Sequence, residues 1–180
     1  MSFGSSSVVP KAKHGDDWKY KIYFDTEADN ANGKIYDGTK GDSLLESMPR
    51  IVGANKDIVN VWAYKVPLTD MQLTKFILYH MFIVFETKDH MWWSIEKHTD
   101  GISLQRSRVC SAVRDSYKHN PRKPPIETID TDKGSKSIHD LFQWLNENEE
   151  LDKVYDYLNR NCQHFAKGVF NYLSVDKKLF

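Results

Sequence analysis

The chain has 180 residues, 25 Lys+Arg against 25 Asp+Glu, 40% hydrophobic and 13% aromatic residues. A domain of this length buries roughly 70% of its unfolded surface and needs no disulfide or metal to fold, and the apolar content excludes a disordered chain. The balanced charge gives no global pull toward nucleic acid or an acidic membrane, and two isolated cysteines, Cys110 and Cys162, exclude a CxxC redox pair and a Cys-rich zinc site.

Residues 1–50 read as an N-terminal extension, partly flexible, ahead of one main domain at 51–180. "MSFGSSSVVPKAKHGDD" is polar and Ser/Gly-rich, a tail without the apolar stretch of a secretory signal. "WKYKIYF" (18–24) alternates as a half-buried strand does, and 25–43 is dense in turn residues around a short strand at "KIY". "DIVNVWAYKVP" (57–67) is a strand stopped by Pro67, and "LTDMQLTKFILYH" (68–80) has helical spacing with Thr69 as N-cap. Three strands follow, "MFIVFET" (81–87), "MWWSIEK" (91–97) and "ISLQRS" (102–107), joined by "KDH" and "HTDG" turns as an antiparallel meander. The longest uncharged run around an apolar centre, "FILYHMFIVF" (76–85), is about half of a membrane-spanning helix. A soluble, cytoplasmic protein with no transmembrane segment is expected.

The tract 114–137 holds three prolines and reads as a surface loop. Its cations Arg114, Lys118, Arg122 and Lys123 are expected to be solvated, because no aromatics interleave them as in single-strand binders. Ser137 and Asp140 form a weaker version of a capping box for a helix over 138–150, whose inner face is Ile138, Leu141, Phe142 and Leu145. A last helix runs from about 162 to 174. Helices segregated from an antiparallel sheet make an α+β domain.

On that last helix Phe165, Ala166, Val169, Phe170 and Leu173 form one apolar stripe with Cys162 at its open end and Asn161 as natural N-cap. A sulfur there meets unpaired N–H groups and the positive end of the helix dipole, which favour thiolate. The backbone N–H groups of Cys162 and Gln163 are also placed to hold an oxyanion. A thiolate nucleophile requires a base. His14 and His119 lie in polar loops, His90 in a hairpin turn and His139 in the first turn of an amphipathic helix; His164 points about 200° away from Cys162 and reads as a supporting or packing residue. His80 opens a strongly apolar strand, where a chargeable ring is costly without a partner. If the hairpin turns through "KDH", residue 87 pairs with 91 and His80 lies opposite His98, with Glu96 one step along the same face. A one-residue change in the loop would instead set Lys97 or Thr99 opposite His80. His98 is the preferred orienting group and Glu96 the alternative.

"YDYLNRNCQHFAKGVFNYL" (155–173) resembles the cysteine box of the circularly permuted papain-like superfamily, which includes NlpC/P60-type peptidases, lecithin:retinol acyltransferase-like proteins and PPPDE deSUMOylating or deubiquitinating peptidases. "LYHMFIVFETKDHMWWSIEKHTDGI" (78–102) looks like their histidine box, with His preceding Cys in sequence. The resemblance implies a permuted papain-like fold: an antiparallel sheet packed against helices, with the nucleophile Cys162 at the N-terminus of a C-terminal helix and His80 as base. There are departures. His80 is followed by Met81 where acyltransferase-like members have Trp, and their second His falls here at Trp92.

The resulting expectation is a thiol hydrolase of peptidase, isopeptidase or thioesterase type, working through an acyl-enzyme on a peptide, protein-conjugate or acyl-lipid substrate, with no cofactor, metal or nucleic acid. Hydrolysis is preferred because "SVDKKLF" is no membrane anchor and no strongly basic amphipathic helix is present. The alternatives are a phospholipid-type acyltransferase or phospholipase, and an inactive binding module using Trp92-Trp93 or the 114–124 loop. Trp92, Trp93, Phe85 and Cys110 otherwise read as packing residues.

Overall fold

The computed structural model of the chain describes residues 18, 20–39, 44–67, 79–155 and 161–180. Its strands are β1 (Lys21–Asp25), β2 (Ile35–Thr39), β3 (Ile58–Pro67), β4 (Tyr79–Thr87), β5 (Trp92–His98), β6 (Gly101–Ser107), β7 (Ser116–Tyr117), β8 (Asn120–Pro121) and β9 (Glu127–Lys133). Its helices are α1 (Leu44–Val52), α2 (Cys110–Arg114), α3 (Ile138–Glu147) and α4 (Cys162–Leu173). Seven strands form one sheet in the order β2-β1-β6-β5-β4-β3-β9, antiparallel throughout except for the β1–β6 pair. This is the α+β arrangement expected. None of the described helices is long and apolar enough to cross a membrane.

The centre of the sheet is covered on both sides, which explains the near-continuous apolar run of β4. On one face Ile83, Phe85, Ile95, Ile102 and Leu104 meet the inner faces of α3 and α4, supplied by Leu141, Phe142, Leu145, Phe165, Val169 and Phe170. On the other, Phe82 and Val84 pack with Val66 and with Val113 of α2. Across β5 and β6 that second face turns polar: Ser94, Glu96, Ser103 and Gln105 are all buried. The β7–β8 hairpin is tied to it, through Gln105 Nε2 donating to Ser116 O (3.2 Å) and Lys118 N donating to Gln105 Oε1 (2.6 Å). Lys118 (φ 47°) and His119 (φ 63°) form the two-residue left-handed turn that matches strand twist.

Three expectations change. Tyr79 and His80, expected at the end of a helix over 68–80, belong to β4, paired with Pro67 and Val66 of β3; residues 68–78 lie outside the described residues, as does the 1–17 tail. The tract assigned to an extension is woven into the sheet: β1 lies parallel to β6, and Trp18, Ile22, Phe24 and Met48 join the main core. Gly101 permits that insertion, since a Cβ there would stand 2.4 Å from Lys21 O. The 114–137 loop, finally, contains the β7–β8 hairpin and the sheet-edge strand β9.

The Ser137 cap of α3 is complete. Its Oγ accepts from Asp140 N (3.2 Å), while Asp140 Oδ2 accepts from Ser137 N (2.8 Å). Ser137→Ala is expected to lower unfolding free energy by about 1 kcal/mol and Ser137→Gly by only a few tenths, read from urea midpoints.

Candidate active site

The site forms where the start of α4 meets the start of β4. Asn161 leaves the helix in extended backbone, and its Oδ1 accepts from Gln163 N (2.9 Å) and His164 N (3.2 Å). This cap aims the first turn at β4: Gln163 Nε2 donates to Tyr79 O (3.2 Å), and Cys162 Sγ lies 4.0 Å from the same oxygen. Cys162 is only 3% exposed. Its sulfur interacts by hydrogen bonding with the His80 side chain, the Met81 N–H and the Tyr155 hydroxyl.

His80 is buried, and its Nε2 lies 2.7 Å from Glu96 Oε2. With Nε2 so engaged, Nδ1 is the ring atom left for the sulfur. Continuing the β4–β5 register from Ile83↔Ile95 brings His80 level with His98. Residues opposed in this way set their side chains side by side, and the two rings stack with centroids 4.3 Å apart. Glu96, one step along the face, has the reach to meet the ring edge. The preference for His98 as the direct partner of His80 is therefore corrected to Glu96; His98 instead supports the carboxylate, its Nε2 2.9 Å from the same Oε2.

Glu96 has a third partner. Arg122 grips it with both terminal nitrogens, NH1 at 3.0 Å from Oε2 and NH2 against Oε1. The guanidinium lies 3.9 Å from the Phe82 ring centroid, and Arg122 Nε donates to Arg114 O (3.1 Å). The expectation of a solvated cation fails at this position: the Arg122 side chain is 4% exposed. Tyr117 completes the stack, its ring 4.2 Å from that of His98.

The charges follow from these contacts. Burial opposes the Cys162 thiolate, but His80, the Met81 N–H and the Tyr155 hydroxyl outweigh it, so the thiol ionises below its ordinary range. Burial likewise opposes the His80 cation, and Cys162 and Glu96 overcome it, lifting the imidazole to about 9. Glu96 is disfavoured as an anion by burial, yet Arg122 and the two histidines hold it well below the carboxylate range. His98 is lowered, first by burial and then by the neighbouring His80 and Arg122 cations, against the pull of Glu96. The contacts therefore favour the ionised forms of Cys162, His80 and Glu96 and the neutral form of His98.

His80, Glu96 and His98 present ligand-type atoms within 4.8 Å of one another. That donor set does not suit a metal ion, because both Glu96 oxygens are committed and a cation would face the guanidinium and an imidazolium.

Cys162, His80, Glu96 and His98 thus come together, and Asn161 caps the helix beside them. The Gln163 backbone N–H, expected as an oxyanion donor, is taken by the Asn161 side chain. His164 is exposed and its Nδ1 lies 3.0 Å from Asn161 Oδ1. His119, His90 and His139 are engaged elsewhere, with Asp25, Glu86 and Gly53 O; His14 lies outside the described residues. Arg122 and Tyr155 escaped the sequence reading as site residues. For Tyr155 the signal was its place at the head of the cysteine box; for Arg122, 26 residues from Glu96, there was none.

No match to the chain was found among curated proteins or among solved structures. A family model described as the PPPDE putative peptidase domain matches residues 36–178, from β2 to beyond α4 and including both the His80 and Cys162 segments. Of the three branches that the two boxes resemble, this is the one matched. Since the match covers most of its length, the chain belongs to the PPPDE peptidase-domain family.

Proposed function

We propose that the protein is a cysteine peptidase or isopeptidase with Cys162 as nucleophile, His80 as proton carrier and Glu96 as the group that orients His80. The observation that carries this reading is the His80 ring held between the Cys162 sulfur and the buried Glu96 carboxylate. The family match supports hydrolysis of a peptide-type bond in a peptide or protein substrate over acyl transfer to lipid.

The Cys162 thiolate attacks the carbonyl carbon, forming a C–S bond and a tetrahedral oxyanion. The Cys162 N–H at the positive end of α4 is the donor placed to hold that charge. Collapse of the oxyanion breaks the C–N bond as the His80 imidazolium gives its proton, from Nδ1, to the leaving amine. The neutral ring then takes a proton from water, whose oxygen attacks the thioester. The acid departs and the thiolate–imidazolium pair is restored. Glu96 holds the ring plane throughout and favours the cationic form, which donates to the leaving amine and re-forms when the ring takes the proton from water.

Cys162→Ala is expected to abolish hydrolysis of peptide and isopeptide substrates and to remove the fast iodoacetamide adduct, located by peptide mass spectrometry apart from Cys110. An adduct forming at Cys110 at the original rate would overturn the assignment.

The pH dependence has two limbs. The thiol is lowered, so alkylation of Cys162 is expected to begin below the free-thiol range of about 8.5. The imidazole is raised, so its proton is present below, and lost above, about 9, and hydrolysis is expected to decline there. Glu96→Gln removes the carboxylate charge that raises His80. Its alkaline limb is expected to move to lower pH and kcat to fall about 100-fold, measured by steady-state kinetics across pH.

A further inference from the structure

The three donors on Glu96 are not equivalent. His80 is the reacting base and His98 a neutral ring, so Arg122 alone compensates the carboxylate permanently. It does so as a two-pronged grip on both oxygens, in a pocket where Glu96 is 1% and Arg122 4% exposed. Carboxylate rotation would break that grip, whereas a single-point contact would allow it. The guanidinium is itself fixed, packed on Phe82 with its centre 5.6 Å from the Tyr117 ring centroid and with Nε on Arg114 O. It is delivered by the β7–β8 hairpin, which is pinned on the polar sheet face by Gln105 and by the His119–Asp25 pair (3.0 Å).

We propose that Arg122 is a positioning residue of the reaction: its grip on both Glu96 oxygens fixes the carboxylate edge that holds the His80 ring against Cys162. This rests on the Cys162–His80 reading and adds to it a residue from outside the histidine and cysteine boxes. The hairpin is then part of the catalytic apparatus rather than a surface loop. Arg122 also sets the proton content of the cluster. The charged or titratable groups around His98 are Glu96 on β5, His80 on β4, Arg122 and Tyr117 from the hairpin, with Asp100 acting on Tyr117 and paired to Lys118 (3.7 Å). Without the guanidinium, the uncompensated Glu96 charge draws a proton onto His98.

The test uses the full chain with 15N-labelled histidine, and compares wild type, Arg122→Met and Arg122→Lys. Iodoacetamide alkylation of Cys162 is measured at about pH 6.5, where the rate depends on the His80 partner, alongside the ring-nitrogen spectra of His80 and His98. Arg122→Met is expected to slow alkylation about tenfold or more, to broaden the His80 Nε2–H signal, and to raise the His98 titration midpoint. Arg122→Lys keeps a charge but not the fork: His98 is expected to stay neutral while alkylation slows several-fold and the His80 signal still broadens. A purely structural role would move thermal stability and leave both spectra unchanged in the folded protein. If Arg122→Met does not fold, Arg122→Lys decides, and a wild-type alkylation rate with a sharp His80 Nε2–H signal overturns the proposal. Should wild-type Cys162 alkylate no faster than a free thiol, the nucleophile reading fails on its own, and the His80 Nε2–H signal still settles the role of Arg122.

Discussion

A carboxylate with almost no access to solvent organises this molecule. Glu96 accepts from His80, His98 and Arg122, and each of those contacts fixes a different part of the chain: β4, the end of β5, and the segment that follows the β7–β8 hairpin. An isolated anion in that position would be prohibitively costly and would take up a proton instead. Breaking such a buried pair by removing one partner typically costs about 3–5 kcal/mol, so the polar face of the sheet stands or falls as a set.

The strand that carries Glu96 serves both faces. Side chains alternate along β5, so Glu96 and His98 point into the polar face while Lys97 points the other way. There the Lys97 ammonium donates to Glu150 O (3.1 Å) and Lys153 O (2.7 Å) and lies 4.7 Å from the Trp18 ring centroid. Trp18 Nε1 in turn donates to Leu151 O (3.0 Å). Three consecutive residues thus anchor the groups around His80 and the segment leading to Tyr155, whose hydroxyl reaches the Cys162 sulfur. The N-terminal tract contributes Trp18 to that anchor and β1 to the sheet, which is why it cannot be regarded as a separate appendage.

Much of the design was readable locally. The stripe from Phe165 to Leu173, with Asn161 ahead of it, marked α4 and put Cys162 at its start, because capping and helical periodicity act within one or two turns. The "KDH" turn set the β4–β5 register and aligned His80 with His98, because a tight hairpin leaves few registers open. Which of two residues on the same face would meet the ring was less accessible. That depended on side-chain reach: the opposed ring stacks, and the longer, flexible Glu96 takes the edge.

What the sequence by itself determined is therefore the set of elements with short-range causes: the strands of the meander, the capped C-terminal helix, and the pairing of a helix-start cysteine with a strand-start histidine. The tertiary structure alone decided three things: that β1 enters the sheet beside β6, that Arg122 is buried on Glu96 rather than solvated, and that Tyr155 reaches the sulfur. The reason is physical. Each of these depends on close approach of segments distant in sequence, where a polar or charged side chain becomes tolerable inside only once its partner has been brought to it, and nothing in local spacing records that meeting.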